Sequence, residues 1–132
     1  MSKTNVSQAE EIGDQIWHNV YRIPKKNHDA MVKICKEFYP LFKKYGGLRL
    51  EFFILDNTTP MEGTTNIADT VTANPDDEVW VELQHYRNKK QMEENMASMV
   101  KDQNIIRLYK EGSNLITPGS RFIIGKFNRI TI

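Results

Sequence analysis

Apolar and polar positions along the chain recur with two different periods, and the switches between them mark the elements. Residues 16–23 (IWHNVYRI) are β-branched and aromatic and stop at Pro24, which predicts a strand. Beyond it Ala30, Met31, Ile34, Cys35, Phe38, Leu41, Phe42 and Tyr45 recur at steps of three and four, with Lys33, Lys36, Glu37, Lys43 and Lys44 between them. That spacing predicts an amphipathic helix with Asn27 as its N-cap and Gly46-Gly47 as its end. Pro40 lies inside it and predicts a kink near 38–40 or two helical pieces.

Residues 48–55 (LRLEFFIL) predict a second strand, with Leu48, Leu50, Phe52 and Ile54 on one face and Arg49, Glu51, Phe53 and Leu55 on the other. A Thr-, Asn- and Asp-rich connection over 56–77 exceeds ordinary loop length and predicts a partly structured excursion. Residues 78–86 (EVWVELQHY) predict a third strand, with Val79, Val81 and Leu83 on one face and Trp80 and Tyr86 on the other. Asn88 opens a second helix with the stripe Met92, Met96, Met99 and Val100. Asp102 caps a short further helix carrying Ile105, Ile106, Leu108 and Tyr109, closed by Gly112. Pro118-Gly119 then turns into a last strand over 121–132.

Strand, helix, strand, strand, helix, strand is the order of a ferredoxin-like βαββαβ fold. It predicts an α+β domain over 16–132, a four-stranded antiparallel sheet with two main helices on one face. Residues 1–15 read as a flexible N-terminal arm. Phe53, Leu55, Trp80 and Tyr86 lie opposite the regular apolar set of their strands. Burying each such side chain stabilises by roughly 1.5–3 kcal/mol, so a cover is expected. A second copy of the same sheet is the simplest one, which predicts a homodimer packed sheet on sheet, with Trp80, Phe53 and Leu55 on the dimer face.

Composition narrows the function classes. Lys and Arg number 18 against 17 Asp and Glu, so no global field draws in nucleic acid or anionic lipid. No apolar run is long enough for a membrane span, and a lone cysteine suits a reducing compartment; a soluble cytoplasmic protein is expected. Internal repeats and low-complexity tracts are absent from the sequence.

Several segments together carry a family likeness. They are Val20-Tyr21-Arg22-Ile23-Pro24, then Pro40-Leu41-Phe42-Lys43-Lys44-Tyr45-Gly46-Gly47-Leu48-Arg49. Asp76-Asp77-Glu78-Val79-Trp80-Val81 and Arg121-Phe122-Ile123-Ile124-Gly125-Lys126-Phe127 complete the set, and over about residues 16–130 the chain resembles the small bacterial family called domain of unknown function 1428, within the dimeric α/β-barrel superfamily. Departures are the N-terminal arm, Gly125-Lys126-Phe127 in place of a usual Gly-Gly-Phe, and Trp17 and His18 where the family tends to have Asp and Gly. The resemblance implies a dimeric barrel of unknown activity and supplies no catalytic residues. Related barrels include cofactor-free monooxygenases and haem-degrading enzymes that use an Asn, a Trp and a His. Asn19, Trp80 and His85 offer those types, but Trp80 and His85 fall on opposite faces of one strand, so the haem reading is rejected and no cofactor is expected.

Among candidate chemical groups, His28 reads as a surface residue of a first helical turn. His18 and His85 lie on central neighbouring strands and, with Tyr21 and Tyr86, are the candidates for a sheet–helix cleft; the competing reading of the histidines is hydrogen bonding within the sheet or dimer seam. No His, Cys, Asp and Glu set shows metal-ligand spacing. Cys35 reads as an inert core thiol and the methionines as core filler. Glu51 and Glu82 are possible paired acids, but solvated strand faces or cross-strand partners of Arg49 fit them better. The 56–77 connection reads equally as a lid or a dimer-embracing arm, and Lys25-Lys26 and Lys89-Lys90 as solvated helix starts.

Three functions compete. The first is a homodimer that binds a small apolar molecule in the sheet–helix cleft. The second is a cofactor-free monooxygenase- or isomerase-like enzyme using a strand His or Tyr, marked by polar groups converging in an apolar pocket. The third is a structural or stress-related assembly protein, marked by a cleft filled by Phe38, Phe42 and the methionines.

Overall fold

The computed structural model describes residues 12–56, 59 and 61–132, so most of the expected N-terminal arm lies outside the described residues. Strand β1 (Gln15–Pro24) leads through a 3₁₀ turn (Lys25–Asn27) into helix α1 (His28–Lys44). Strand β2 (Arg49–Ile54), a short helix α2 (Ile67–Thr70) and strand β3 (Asp77–Tyr86) follow. Helices α3 (Lys89–Met99) and α4 (Gln103–Ser113) and strand β4 (Ile123–Asn128) complete the chain. The sheet order is β2-β3-β1-β4, and every neighbouring pair is antiparallel. The architecture is α+β and ferredoxin-like. No helix among the described residues is long and apolar enough to cross a membrane.

Local chemistry explains most boundaries. Asn88 caps α3 by accepting from the Gln91 N–H, and Asp102 caps α4 by accepting from the N–H groups of Asn104 and Ile105. Gly46 ends α1 with a φ of 97°, and a side chain at Gly47 would stand 2.2 Å from the Phe42 ring, so both positions require glycine. Two expectations need correction. α1 runs unbroken through the exposed Pro40, so the two-piece alternative falls. Asn27 occupies the cap position of α1 but does not cap it; its amide donates to the Leu115 carbonyl at 2.9 Å, binding the start of α1 to the segment after α4. The 56–77 excursion carries α2, and its base is held by Arg22, which donates to the Thr72 carbonyl at 2.8 Å.

The register decides which side chains face the helices. Tyr21 pairs with Trp80, Asn19 with Glu82 and Trp17 with Gln84. Trp80 packs with Tyr21, Ile23 and Met31 in one buried cluster, and Tyr86 with Phe42, Leu50, Met92 and Met99 in another. The helix side of β3 is therefore Trp80, Glu82, Gln84 and Tyr86, while Val79, Val81, Leu83 and His85 take the other face. This corrects the placement of Trp80 on a dimer face: it is 2% exposed beneath α1. Alternation divides a strand into two sets without saying which set is covered, and here the bulkier aromatics take the helices. Phe53 does stand on the open face, opposite Val81, and Leu55 continues that side by donating its N–H to the Val79 carbonyl.

Candidate functional site

Between the helix face of the sheet and α1, α3 and α4 lies a cavity of about 600 Å³, within the usual range for small-molecule sites. Its walls are apolar: Phe38 and Ile34 from α1, Met96 and Met99 from α3, Ile105 and Leu108 from α4, with Phe122 and Ile124 closing the β4 side. Phe38, Met96 and Met99 line this space, while Phe42 and Met92 pack beside it in the core, fully buried.

The floor is polar. Asn19, Tyr21, Glu82 and Gln84 all line the cavity. Gln84 donates from Nε2 to Glu82 Oε2 at 2.6 Å, and Tyr86 donates from Oη to Gln84 Oε1 at 2.5 Å. Asn95 stands 3.1 Å from the same hydroxyl and donates to the carbonyls of Tyr45 and Phe42 at 3.0 and 3.3 Å. A buried chain of hydrogen bonds thus runs from the cavity floor to the C-terminal turn of α1. Asn19 sits opposite Glu82 and is 4% exposed, and its side-chain carbonyl oxygen is buried without a hydrogen-bond partner among the described residues.

Burial disfavours the charged carboxylate and pushes Glu82 up to about 7, against the opposing pull of the Gln84 hydrogen bond. Burial also raises the hydroxyls of Tyr21 and Tyr86, and the Glu82 charge adds to both. The Cys35 thiol, which lines the same cavity, is pushed up to about 12 by burial first and by Glu82 second, so it is a protonated thiol at neutral pH.

The structure splits the four expected cleft residues. Tyr21 reaches the cavity, and Tyr86 lies on the same face behind the floor, fully buried and joined to it through Gln84. His18 and His85 project from the opposite face. His18 packs edge-on against Phe127 with ring centroids 5.7 Å apart, and His85 Nε2 lies 2.7 Å from Glu51, with its Nδ1 buried and without a partner among the described residues. Neither histidine can meet a ligand in this cavity. His28 is not a bare surface residue either: its Nδ1 lies 2.9 Å from Glu78 Oε1, which also accepts from Trp80 Nε1. Glu82 is the group that strand alternation alone misassigned to a solvated face. Its parity with Trp80 and Tyr86, the bulkiest residues of the strand, is the signal that places it under the helices.

No three metal-ligating side chains converge among the described residues. The family model described as "Protein of unknown function (DUF1428)" matches residues 16–113. None of the curated proteins matches the chain. A NIPSNAP family protein from Agrobacterium tumefaciens is similar in structure at 14% identity and a TM-score of 0.57, over 90% of this chain and 88% of that one. SnoaB, a cofactor-independent oxygenase from Streptomyces nogalater, is similar at 10% identity and a TM-score of 0.52, over 91% and 97%. At these identities the likeness is one of fold.

Proposed function

The chain belongs to the DUF1428 family, and from that premise we propose that it binds a small, mainly apolar molecule in the cavity between sheet and helices. The observation that carries this reading is the cavity itself, about 600 Å³ of apolar wall over a floor with an unpartnered Asn19 oxygen. The walls supply affinity through buried apolar area, and the floor orients whatever polar end the molecule has. The cofactor-free enzyme reading through a strand histidine has no geometric support, because both strand histidines face away. Naphthalene tests the cavity directly. In a Trp80→Phe background it is expected to quench Trp17, which lines the cavity, and Ile105→Trp is expected to fill the space and abolish that quenching. Absence of quenching in the parent protein overturns the reading.

The open face of the sheet supports the second part of the proposal, a homodimer. Phe53, Ile123 and Phe127 stand on it 50%, 49% and 54% exposed, and they flank the apolar centre formed by Val20 and Val81. A second sheet laid on this face buries all of them, and His18 and His85 then fall in the seam. The lone Cys35 thiol fits a cytoplasmic setting for such a dimer. Sedimentation velocity is expected to give a dimer that Phe53→Asp combined with Phe127→Asp converts to a monomer. A monomeric parent protein sinks the dimer and leaves the cavity proposal standing.

A further inference from the structure

The geometry points to a proton-transfer site on the floor of this cavity, in which Glu82 and Asn19 interconvert the keto and enol forms of a small, mainly apolar carbonyl compound. The inference rests on the cavity being a binding site and adds the substrate class and the residue that acts on it. Three observations bring it out. First, Asn19 and Glu82 are direct partners across β1 and β3, and both line the cavity, so one ligand atom pair can address both. Second, the Asn19 side-chain oxygen is buried with no donor among the described residues, a cost that an O–H from a ligand beside it would relieve. Third, the Gln84 amide grips Glu82 from its own strand and is itself held by Tyr86, so the carboxyl is positioned rather than free to turn.

The step balances without any oxidant or reductant. The Glu82 carboxylate takes a proton from the carbon beside the carbonyl, and that C–H electron pair becomes the new C=C bond. The carbonyl π pair moves onto oxygen, which takes a proton from water; the hydroxide left behind is neutralised by the proton that Glu82 has gained, and the resulting enol O–H donates to Asn19 Oδ1. In reverse, the Glu82 carboxyl returns its proton to carbon and the hydroxyl proton goes back to water. Such a base works best when both of its protonation states coexist near neutral pH, and burial places Glu82 there. The titratable groups around it are Tyr21 from β1, Cys35 from α1, Tyr86 on its own strand, Tyr109 across the cavity on α4 and Lys126 on the same face of β4. Tyr21, Cys35 and Tyr86 are all raised and therefore neutral where Glu82 titrates.

The test is hydrogen–deuterium exchange at the α-carbon of 2-tetralone in deuterated buffer, followed by proton NMR, with naphthalene as a competitor that cannot enolise. The wild-type protein is expected to exchange 2-tetralone about a hundredfold faster than Glu82→Gln, the low side of what a positioned base supplies. Naphthalene is expected to suppress the excess, and the rate is expected to rise with pH and level off above neutrality. Asn19→Ala is expected to lose about tenfold, corresponding to one hydrogen bond to the developing enol. Circular dichroism establishes that each variant is folded. If naphthalene quenches Trp17 in the Trp80→Phe background but wild-type exchange is no faster than in Glu82→Gln, the proton-transfer role is overturned and the binding cavity survives. If naphthalene does not bind the wild-type protein, the cavity reading falls and takes this inference with it.

Discussion

Strand β3 places one carboxylate in each of two contrasting surroundings, Asp77 at its start and Glu82 in its middle. Asp77 is 4% exposed at the side chain and fully served: Thr117 Oγ1 donates to it at 2.6 Å, the Asn74 N–H at 2.9 Å and Arg22 Nη1 at 3.1 Å. Burial alone would raise it, but these donors together with the Arg22 charge win, and its carboxyl is held below the usual carboxylate range. Glu82 has one donor among the described residues, Gln84, and burial wins. A carboxylate that closes a structural joint is surrounded by partners. Glu82, which lines the cavity, has fewer of them, and its carboxyl is raised instead.

The sharpest way to break the contrast is to strip Asp77 of its cation. Arg22→Met is expected to cost about 3–5 kcal/mol in urea unfolding at pH 7, because it leaves a buried charge uncompensated. A loss under 1 kcal/mol would mean that Thr117 and Asn74 suffice. The opposite change at Glu82 has the opposite sign. A folded value raised to about 7 means that stability is fully present below the unfolded value near 4.5 and declines as pH rises through 7. Glu82→Gln is therefore expected to stabilise by about 3 kcal/mol at pH 8 and to make little difference near pH 4.5. For Asp77 the lowered folded value reverses the window, so its contribution is present above the carboxylate range and lost as pH falls through it. A Glu82→Gln gain that did not depend on pH would trace to packing rather than to charge.

Smaller changes sharpen the picture. Tyr86→Phe removes the hydroxyl between Gln84 and Asn95, with an expected cost of about 1–2 kcal/mol, while Glu82 should still titrate near neutral pH because burial and not this chain raises it. The half-exposed His28 gives the smallest effect. Its hydrogen bond to Glu78 raises its pKa, so the pair helps most below the usual imidazole range and fades as pH rises past it. Melting midpoints of wild type and His28→Ala should therefore differ at pH 5.5 and converge at pH 9.

The element order and sheet were legible because periods of two and 3.6 leave distinct marks on so short a chain, and the caps at Asn88 and Asp102 carried their usual chemistry. The site was legible only in outline. Tyr21 and the apolar stripes of the helices announced a cleft, yet Glu82 read as a solvated residue and Trp80 as an outward one. Both errors have one cause: the covered face of a strand is fixed by its neighbours, which alternation within the strand does not contain. Asn27 misled for a related reason, since a partner far along the chain, the Leu115 carbonyl, outcompeted the local cap.

The pairing of β1 with β4 also sets an order of events during synthesis. Val20 lies against Ile123 and Gln15 against Asn128, so the first strand made waits for the last before that edge of the sheet can zip. Ile124 and the adjacent Phe122 form the β4 side of the cavity. In a nascent chain that has emerged only through α4, that side of the cavity lacks its wall. The β4 wall is therefore the last part of the cavity lining to be put in place.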